Sequence, residues 1–545
     1  MMFSEATQRG VNAALRNDDF DRAGVLAEAA IANGESHPMI YSLAAFRRQQ
    51  AGDSQGAVAL YLRAAELAPD DPNILTAAGD ALRYTGQLRE AVTLFDRALA
   101  GDPMMISAWY GRALALDASG AIEDAERSYR RVAELAPSSA AGFAGLASMQ
   151  AILGELAEAR DNAERAQALA PGDNATILAL ARCEIASGRP EEAAERLSQL
   201  VDRPGVAPMD LVLALGLLGD SLDRLGQFDK AFETYARANE RFAEIHAGPN
   251  APAVARRLVE AIDEAVSELD AAALSRPVAP VPKEAANHVF LLGYPRSGTT
   301  LTEQILATAP GVVTLEESPT LAAGAKYLSA DGIAALADIS DHEAAELRAD
   351  YWARVAASDI DVCGSTFVDM DPFKGPALPL IARLFPNAKI IVVRRDPRDV
   401  VWSCFRHNFV YSQVAYEFTS LARAARHYSA TMRLIQRCIE ALPLTTHILH
   451  YEDLVRDFDQ TTSDLCAFAG LPWSQDLRDF GATSRARSVK TASAPQVRGK
   501  LFDGSGQWQN YADKLQPVFP MLRRWVRPAG PGQGSPVEHK TGSCG

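Results

Sequence analysis

The feature that most constrains the fold is a 34-residue period in the first half of the chain. Glycines with this spacing stand at Gly52, Gly86, Gly120, Gly154 and Gly188. An alanine follows each of them five residues later, at Ala57, Ala91, Ala125, Ala159 and Ala193. Prolines keep the same step at Pro69, Pro103, Pro137 and Pro171. A period of this length predicts an array in which each unit buries its apolar face against its neighbours.

Two helical patterns fill each unit, as in "PNILTAAGDALRYTGQLREAVTLFDRALAGD". Glycine permits a tight turn between the two helices, alanine allows them to approach closely, and proline ends the second helix. An earlier unit is degenerate, with Asp18 in the glycine position and Ala23 in register. A later unit is shifted by four residues, to Gly226 and Ala231. We therefore expect about seven units over residues 1–245.

This pattern resembles the tetratricopeptide repeat family. The resemblance implies a superhelical solenoid whose concave face holds a peptide or another protein. A second interpretation stays open, in which the array only dimerises the protein or packs against the rest of the chain.

The charge is distributed unevenly along the chain. Residues 1–287 hold 27 Lys and Arg against 42 Asp and Glu, whereas residues 288–526 hold 25 against 26. Two modules are therefore expected, joined over residues 246–287 by one more helix and a proline-rich linker. Residues 527–545 are rich in Gly, Pro and Ser, and a disordered tail is expected there. The net charge of −15 argues against a nucleic-acid partner.

Several function classes are excluded by what the sequence lacks. The chain has no apolar run of roughly 18 residues and does not begin with a basic stretch followed by an apolar one, so a cytoplasmic protein without a membrane span is expected. The six cysteines are scattered without CxxC pairs. Neither a disulfide framework nor a zinc site is indicated by that distribution.

The second module opens with a strand, loop and helix pattern, "HVFLLGYPRSGTTLTEQILATAPG". The loop Gly293–Thr300 has the glycine spacing of a nucleotide-binding phosphate loop, but Thr299 takes the place of the expected lysine. Backbone N–H groups at such a loop favour a phosphate, and Arg296 adds a permanent charge. Because that lysine normally reaches the β- and γ-phosphates of ATP, its absence predicts a different phosphate ligand and no magnesium.

A second candidate phosphate site follows about a hundred residues later in "AKIIVVRRDPRDVVWSCFRHNF". Arg395 lies at the end of an apolar strand pattern, and Ser403 follows two turns later on a helix that begins near Pro397. An arginine and a serine that converge there could hold a second phosphate. Alternatively, such arginines form a solvated, salt-bridged edge of the sheet.

Taken together, "YPRSGTT" and "RRDPRDVVWSCF" resemble the paired signatures of the sulfotransferase family. Later segments, "LHYEDLV" and "KTASAPQVRGKLFDGSGQWQNY", are similar to further parts of that family. The resemblance implies a P-loop-like α/β sulfotransferase domain over 288–526 with a mainly parallel central sheet, placed after the repeat solenoid in an α + α/β fold. A fusion of these two modules is a known bacterial architecture.

The same resemblance implies 3′-phosphoadenosine 5′-phosphosulfate (PAPS) as co-substrate, 3′,5′-bisphosphoadenosine (PAP) as product, and no metal. The binding residues it implies are Arg296, Ser297, Gly298, Thr299, Thr300, Arg395, Ser403, Tyr451, Arg498, Gly499 and Lys500.

The catalytic residues follow from the tyrosylprotein-sulfotransferase type, which "PGVVTLEES" resembles without a gap. The match puts Glu317 in the position of the general base, with Glu316 beside it, although adjacent acids are more often simple surface charge. One departure is Met370 in "VDMDP", where relatives have a lysine that assists the leaving group. Lys374 would replace that lysine if the chain turned back; otherwise Arg296 carries the charge.

The sequence thus predicts a PAPS-dependent sulfotransferase acting on a hydroxyl acceptor, with a protein tyrosine presented through the repeats as one acceptor. Polysaccharides and small-molecule alcohols stay open as acceptors. Two other classes remain: a phosphate-loop kinase, and a non-catalytic PAPS- or PAP-binding adaptor, which Met370 keeps open.

Overall fold

The computed structural model describes residues 4–246, 254–274, 276, 281, 284–358, 360–409, 412–486 and 501–528. Helices alone occupy the described part of the first half, and a five-stranded parallel sheet surrounded by helices occupies the second. The predicted α + α/β fold class is therefore confirmed. Among the described residues, no helix is both long and apolar enough to cross a membrane.

Seven helix pairs form the repeat array. Their bounds are α1 Glu5–Arg16, α2 Phe20–Ala32, α3 Pro38–Gln50, α4 Ser54–Leu67, α5 Pro72–Tyr84, α6 Leu88–Gly101, α7 Ile106–Ala118, α8 Ile122–Leu135, α9 Ala140–Leu153, α10 Leu156–Leu169, α11 Asn174–Ala186, α12 Pro190–Val201, α13 Pro208–Arg224 and α14 Phe228–Ile245.

The period has a direct conformational cause. The periodic glycines adopt left-handed φ angles between 72° and 84° in the turn within each pair, a region that L-residues with a Cβ rarely adopt. In the degenerate first unit, Asp18 takes the same conformation with φ 53°. The alanine five residues after each turn is at most 1% exposed, because the helices of each pair touch there.

The sheet of the second half has the strand order β2-β3-β1-β4-β5, and all its strands are parallel. Its strands are β1 Asn287–Leu292, β2 Val312–Glu316, β3 Thr366–Met370, β4 Lys389–Arg394 and β5 Thr445–His450. Residues 289–292 of the central strand are fully buried, since helices cover both faces. The carboxyl ends of these strands meet at one edge, where loops carry the predicted site.

Helices cover this sheet and complete the second half. Their bounds are α15 Val254–Val266, α16 Ala271–Leu274, α17 Thr299–Ala307, α18 Ala330–Ala335, α19 Asp341–Ala356, α20 Leu378–Leu384, α21 Pro397–Arg406, α22 Gln413–Phe418, α23 Leu421–Ala441, α24 Tyr451–Arg456, α25 Phe458–Ala469, α26 Phe480–Ala486, α27 Ala512–Leu515 and α28 Phe519–Leu522. Short 3₁₀ segments lie at Ala322–Tyr327, Leu336–Asp338, Gly375–Ala377, Gln475–Asp479, Gln507–Tyr511, Gln516–Val518 and Arg523–Trp525.

The last repeat and the α/β domain share one hydrophobic core. Phe232 of α14 stacks on Trp402 of α21 with ring centroids 6.2 Å apart, and Asn239 donates a hydrogen bond to the Phe405 carbonyl at 2.7 Å. On α15, buried Asp263 accepts hydrogen bonds from arginines of α23. The repeats are thus packed directly on the helix that carries Ser403. Most of the predicted proline-rich linker, and the predicted disordered tail from 529 onward, lie outside the described residues.

Candidate active site

In the loop between β1 and α17, the backbone comes very close to residues of other segments at two glycines. At Gly293, an added Cβ would lie 2.7 Å from the Val393 carbonyl oxygen. Gly298 has φ 108°, and a Cβ there would lie 2.8 Å from the ring of Tyr451. Both positions require glycine for steric reasons, so the spacing noted in the sequence reflects this close packing.

Arg296 joins the two predicted phosphate segments, which are about a hundred residues apart. Its Nε donates a hydrogen bond to Ser403 Oγ at 3.0 Å. Its carbonyl oxygen accepts one from Arg395 Nη1 at 3.2 Å. Arg296 has φ 69°, a left-handed conformation that is costly for an arginine and is often found at functional sites. The loop after β1 and the helix after β4 therefore form one site.

Two buried donors in this site have no hydrogen-bond partner among the described residues: Ser297 Oγ and Arg395 Nε. The Ser297 residue is only 2% exposed. Buried donors normally find an acceptor, because leaving one unsatisfied is costly. These two atoms are therefore suited to the oxygens of a bound anion, which is the chemistry of a phosphate group.

A cavity of about 60 Å³ lies at this point. Six of the predicted binding residues line it: Arg296, Gly298, Thr300, Arg395, Ser403 and Tyr451. The Arg395 guanidinium lies over the Tyr451 ring, 4.6 Å from its centroid. Ser297 and Thr299 are buried in the loop beside the cavity without lining it.

The segment after residue 500 closes one side of the cavity. Tyr451 donates a hydrogen bond to the Phe502 carbonyl at 3.2 Å and accepts one from the Gly504 N–H at 3.1 Å. Arg395 also donates to the Gly504 carbonyl. The predicted residues Arg498, Gly499 and Lys500 lie outside the described residues, immediately before this segment.

Positive charge dominates the cavity. Burial, with a smaller contribution from the charges of Arg406 and Arg395, lowers the pKa of Arg296 to about 10. The guanidinium still stays protonated near neutral pH. Next to them, burial and the charges of Arg296 and Arg406 lower the pKa of His407 to about 3, so this imidazole is neutral. Three arginines line the cavity and no carboxylate stands among its described lining residues, which favours an anionic ligand.

Glu317 follows β2, which lies two strands away from β1 in the sheet. Its N–H donates to the Met370 carbonyl at 2.7 Å, and its φ of 40° is again left-handed. Burial, together with the charge of Asp371, raises the pKa of Glu317 to about 7. Glu317 is nevertheless an exposed residue. A carboxyl group with these properties can accept a proton near neutral pH.

Met370 and Lys374 are directed to opposite faces of the sheet. Met370 is fully buried with the residues that pack against α17, the helix of the phosphate loop. Lys374 forms a buried ion pair with Asp369, whose side chain lies on the other face of β3. Asp369 also accepts hydrogen bonds from Thr320 at 2.9 Å and Tyr351 at 2.8 Å. The chain turns after β3, but this turn does not bring Lys374 to the position that Met370 occupies.

Two charged residues of the site were not predicted from the sequence. Arg406 lines the cavity, and the signal for it was present in "SCFRHNF", three residues after Ser403. Asp371 influences the pKa of Glu317 from the turn after β3, and no local signal in the sequence links these two carboxyl groups. Beside the site, the Arg398 guanidinium lies over the Trp508 ring, 3.8 Å from its centroid.

The class of protein is defined by two features. A phosphate loop contacts a second, arginine–serine segment at one edge of a sheet, and this sheet is attached to helical repeats. Residues 288–475 match the model of the sulfotransferase family. Residues 76–140 and 151–205 match models of the tetratricopeptide repeat. The chain therefore carries tetratricopeptide repeats followed by a domain of the sulfotransferase family.

Two curated relatives are similar to parts of this chain. An uncharacterized protein of Aquifex aeolicus (strain VF5) is 28% identical over 348 residues, which is 61% of this chain and 44% of that protein. Protein-tyrosine sulfotransferase 1 of Danio rerio is 25% identical over 194 residues, 34% of this chain and 54% of that protein. The chain thus spans about half the length of the curated relatives it matches.

Solved structures of repeat proteins are similar to part of this chain. A tetratricopeptide repeat protein from Parabacteroides merdae aligns with 44% of this chain and 92% of its own, at 17% identity and a TM-score of 0.36. A thermophilic repeat protein of Thermus thermophilus aligns with 33% of this chain and 98% of its own, at 19% identity and a TM-score of 0.29.

Proposed function

We propose that this protein is a sulfotransferase that uses PAPS to sulfonate a hydroxyl group. The observation that carries the proposal is the direct connection of Arg296 with both Ser403 and Arg395. This connection brings two anion-binding segments together at the carboxyl ends of β1 and β4, as a nucleotide with phosphates at both ends of its ribose requires.

The residues of the site are assigned distinct roles in this proposal. Loop N–H groups, Ser297 and Thr300 would hold one phosphate group of the nucleotide, and Arg395 with Ser403 the other. PAPS would supply the activated sulfonate. Glu317 would take the proton of the acceptor hydroxyl, and Arg296 would stabilise negative charge that develops in the cavity. In this proposal Lys374 is given no role in transfer, because its ammonium group is paired with Asp369.

The acceptor that we propose is a tyrosine in a protein. Two observations support it: the similarity to a relative named protein-tyrosine sulfotransferase 1, and the repeat array packed beside the site. Residues 246–287 and 288–526 are proposed as the connecting segment and the transferase domain, after a repeat domain at 1–245.

Nucleotide binding is tested most directly with Arg395→Ala. We expect the dissociation constant for PAP, measured by calorimetry, to rise roughly 10- to 100-fold, the usual cost of a lost hydrogen bond to a charged group. The matched control is Arg394→Ala. Arg394 is the preceding residue on β4, yet it donates to Gln436 and does not line the cavity, so its replacement should change the PAP affinity less than about threefold.

Equal losses in the Arg395 and Arg394 variants would contradict the proposed phosphate site. A parallel titration with ATP and magnesium tests the kinase alternative. ATP binding that depends on magnesium, without PAP binding, would replace the proposed function with phosphoryl transfer.

The raised pKa of Glu317 predicts how the rate depends on pH. A general base must be deprotonated, so kcat/KM should be about half-maximal near pH 7 and should fall about tenfold per pH unit well below it. Since the charge of Asp371 contributes to the raised pKa, Asp371→Asn should move this midpoint to lower pH. Sulfonation rates measured between pH 5.5 and 8.5 check both points. A rate that stays flat over this range would remove Glu317 from the role.

A second candidate function is nucleotide binding without transfer, as in an adaptor. One observation favours it: Met370 is fully buried at the position where the family resemblance implies a lysine, and a thioether cannot assist a leaving group. PAP binding together with no transfer of labelled sulfonate to protein, sugar or small-molecule hydroxyls would support this adaptor function.

A further inference from the structure

A groove of about 870 Å³ lies between the repeats and the α/β domain. One wall comes from α9, α11 and α13, including Ile152, Arg182 and Leu213. The other wall comes from the end of α21 and the segment after residue 500, including Arg406 and Phe502. The volume is that of a large ligand pocket. Concave surfaces of repeat arrays hold extended peptides.

The groove is basic, although the repeat half as a whole is acidic. Four arginines line it, Arg182, Arg224, Arg296 and Arg406, together with two aspartates, Asp220 and Asp223. Both aspartates have partners within the protein. Asp220 accepts a hydrogen bond from Tyr235 at 2.7 Å. Asp223 accepts one from Tyr511 and forms an ion pair with Arg406 at 3.6 Å.

Arg182, on α11, has one hydrogen-bond donor without an acceptor among the described residues. This donor is its Nε, which is buried. Arg182 also interacts with the nearby carboxyl group of Asp117, whose pKa burial raises while the charge of Arg182 opposes that rise. The Nε donor of Arg182 can pair with a carboxylate of a ligand in the groove.

The groove is continuous with the candidate nucleotide cavity. Four residues line both spaces: Arg296, Arg406, Phe502 and Gln507. Phe502 is 63% exposed, which is unusual for a phenylalanine and places an apolar surface at the junction. A ligand in the groove and an anion in the cavity would therefore share two guanidinium groups.

The groove and the proposed base lie on different sides of the sheet's central strand. Glu317 follows β2, whereas α21 follows β4, and β3 and β1 lie between these two strands. A segment bound in the groove would therefore meet the arginines of the nucleotide site rather than the base. The groove is thus suited to docking, at a place distinct from that of the reacting hydroxyl.

We propose that this groove binds an extended, acidic segment of a partner protein, and that its occupancy weakens nucleotide binding. The coupling rests on the proposed function, since it requires PAP in the cavity. Its sign follows from charge: a carboxylate in the groove and a phosphate in the cavity compete for Arg296 and Arg406, and they repel each other. Because coupling is reciprocal, docking of the segment would promote release of the spent nucleotide.

The test uses the full-length protein and a 12-residue peptide of alternating glutamate and leucine. This probe has no side-chain hydroxyl, so it cannot be an acceptor. We expect it to bind by calorimetry and to bind more weakly as salt is raised from 50 to 300 mM, whereas a lysine–leucine peptide should not bind. Arg182→Gln should weaken binding about tenfold or more. Arg131→Gln should not, because Arg131 lies on α8 outside the groove.

Saturating PAP should raise the dissociation constant of the acidic peptide about fivefold or more, and saturating peptide should do the same to PAP. Absent or salt-independent binding, or equal effects of the two arginine variants at matched melting temperatures, would overturn the docking site. Peptide affinity that is the same with and without bound PAP would overturn the coupling. If PAP itself fails to bind, the proposed function fails with the coupling, while the peptide titration still decides the docking site.

Discussion

Glu317→Gln should lower the sulfonation rate by roughly 10² to 10⁴, the range expected when a general base is lost. Glutamine keeps the size of the side chain and is no better suited than glutamate to the left-handed backbone at this position, where φ is 40°. The substitution therefore removes the proton-accepting group with little change in shape. Because Glu317 does not line the nucleotide cavity, PAP affinity should stay within about threefold of wild type.

The matched control for this prediction is Glu316→Gln. Glu316 is the preceding residue, at the end of β2, and it accepts a hydrogen bond from Gln304 at 3.2 Å. Its replacement should change the rate only several-fold. If the two variants lost activity equally, or if Glu316→Gln lost more, the base would be misassigned. Single-turnover rates with labelled PAPS at pH 8 separate the chemical step from product release.

Local sequence was sufficient to predict those parts of the molecule whose cause is local. The repeat period reflects a turn that requires a left-handed residue and an alanine at each helix contact, so it could be recognised without a structure. At Asp18 the left-handed conformation is retained although an aspartate stands in place of glycine. The phosphate loop and the pair Arg395 and Ser403 were recognisable for a similar reason, because each segment contains its own strand end and helix start.

Contacts between distant segments were not predictable in this way. The sequence gives no indication that α14 packs on α21. The groove between the repeats and the α/β domain therefore appears only in the structure, as does the position of Arg182 in its wall. The position of Asp371 beside Glu317 likewise depends on how two loops at the edge of the sheet approach each other. The binding role predicted for Arg498, Gly499 and Lys500 stays a prediction.

The position of the Lys374 side chain illustrates the difference between spacing in the sequence and position in space. Lys374 lies four positions after Met370, a spacing at which a turn could bring its ammonium group to the place of the missing lysine. Successive side chains of a strand point to opposite faces, so Asp369 and Met370 diverge. The Lys374 side chain lies on the same face as Asp369, because a fully buried carboxylate requires a charged partner.

Lys374→Met should therefore lower the free energy of unfolding by about 3–5 kcal/mol, because it leaves the Asp369 carboxylate buried without its cation. Two neutral donors, Thr320 and Tyr351, would remain to Asp369 and cannot neutralise its charge. Urea unfolding of the full-length protein measures the change. The control is Lys326→Met, which removes an exposed ion pair with Glu343 and should cost no more than about 1 kcal/mol.

The same variant decides between two roles for this lysine. If Lys374 only neutralises Asp369, then the sulfonation rate per folded molecule should stay within several-fold of wild type at a temperature where the variant is folded. If Lys374 assisted the leaving group, the rate would instead fall by orders of magnitude while PAP binding persisted. A large loss of rate with unchanged stability would contradict the ion-pair role. It would also require Lys374 to leave Asp369 during turnover, against the charge that holds it there.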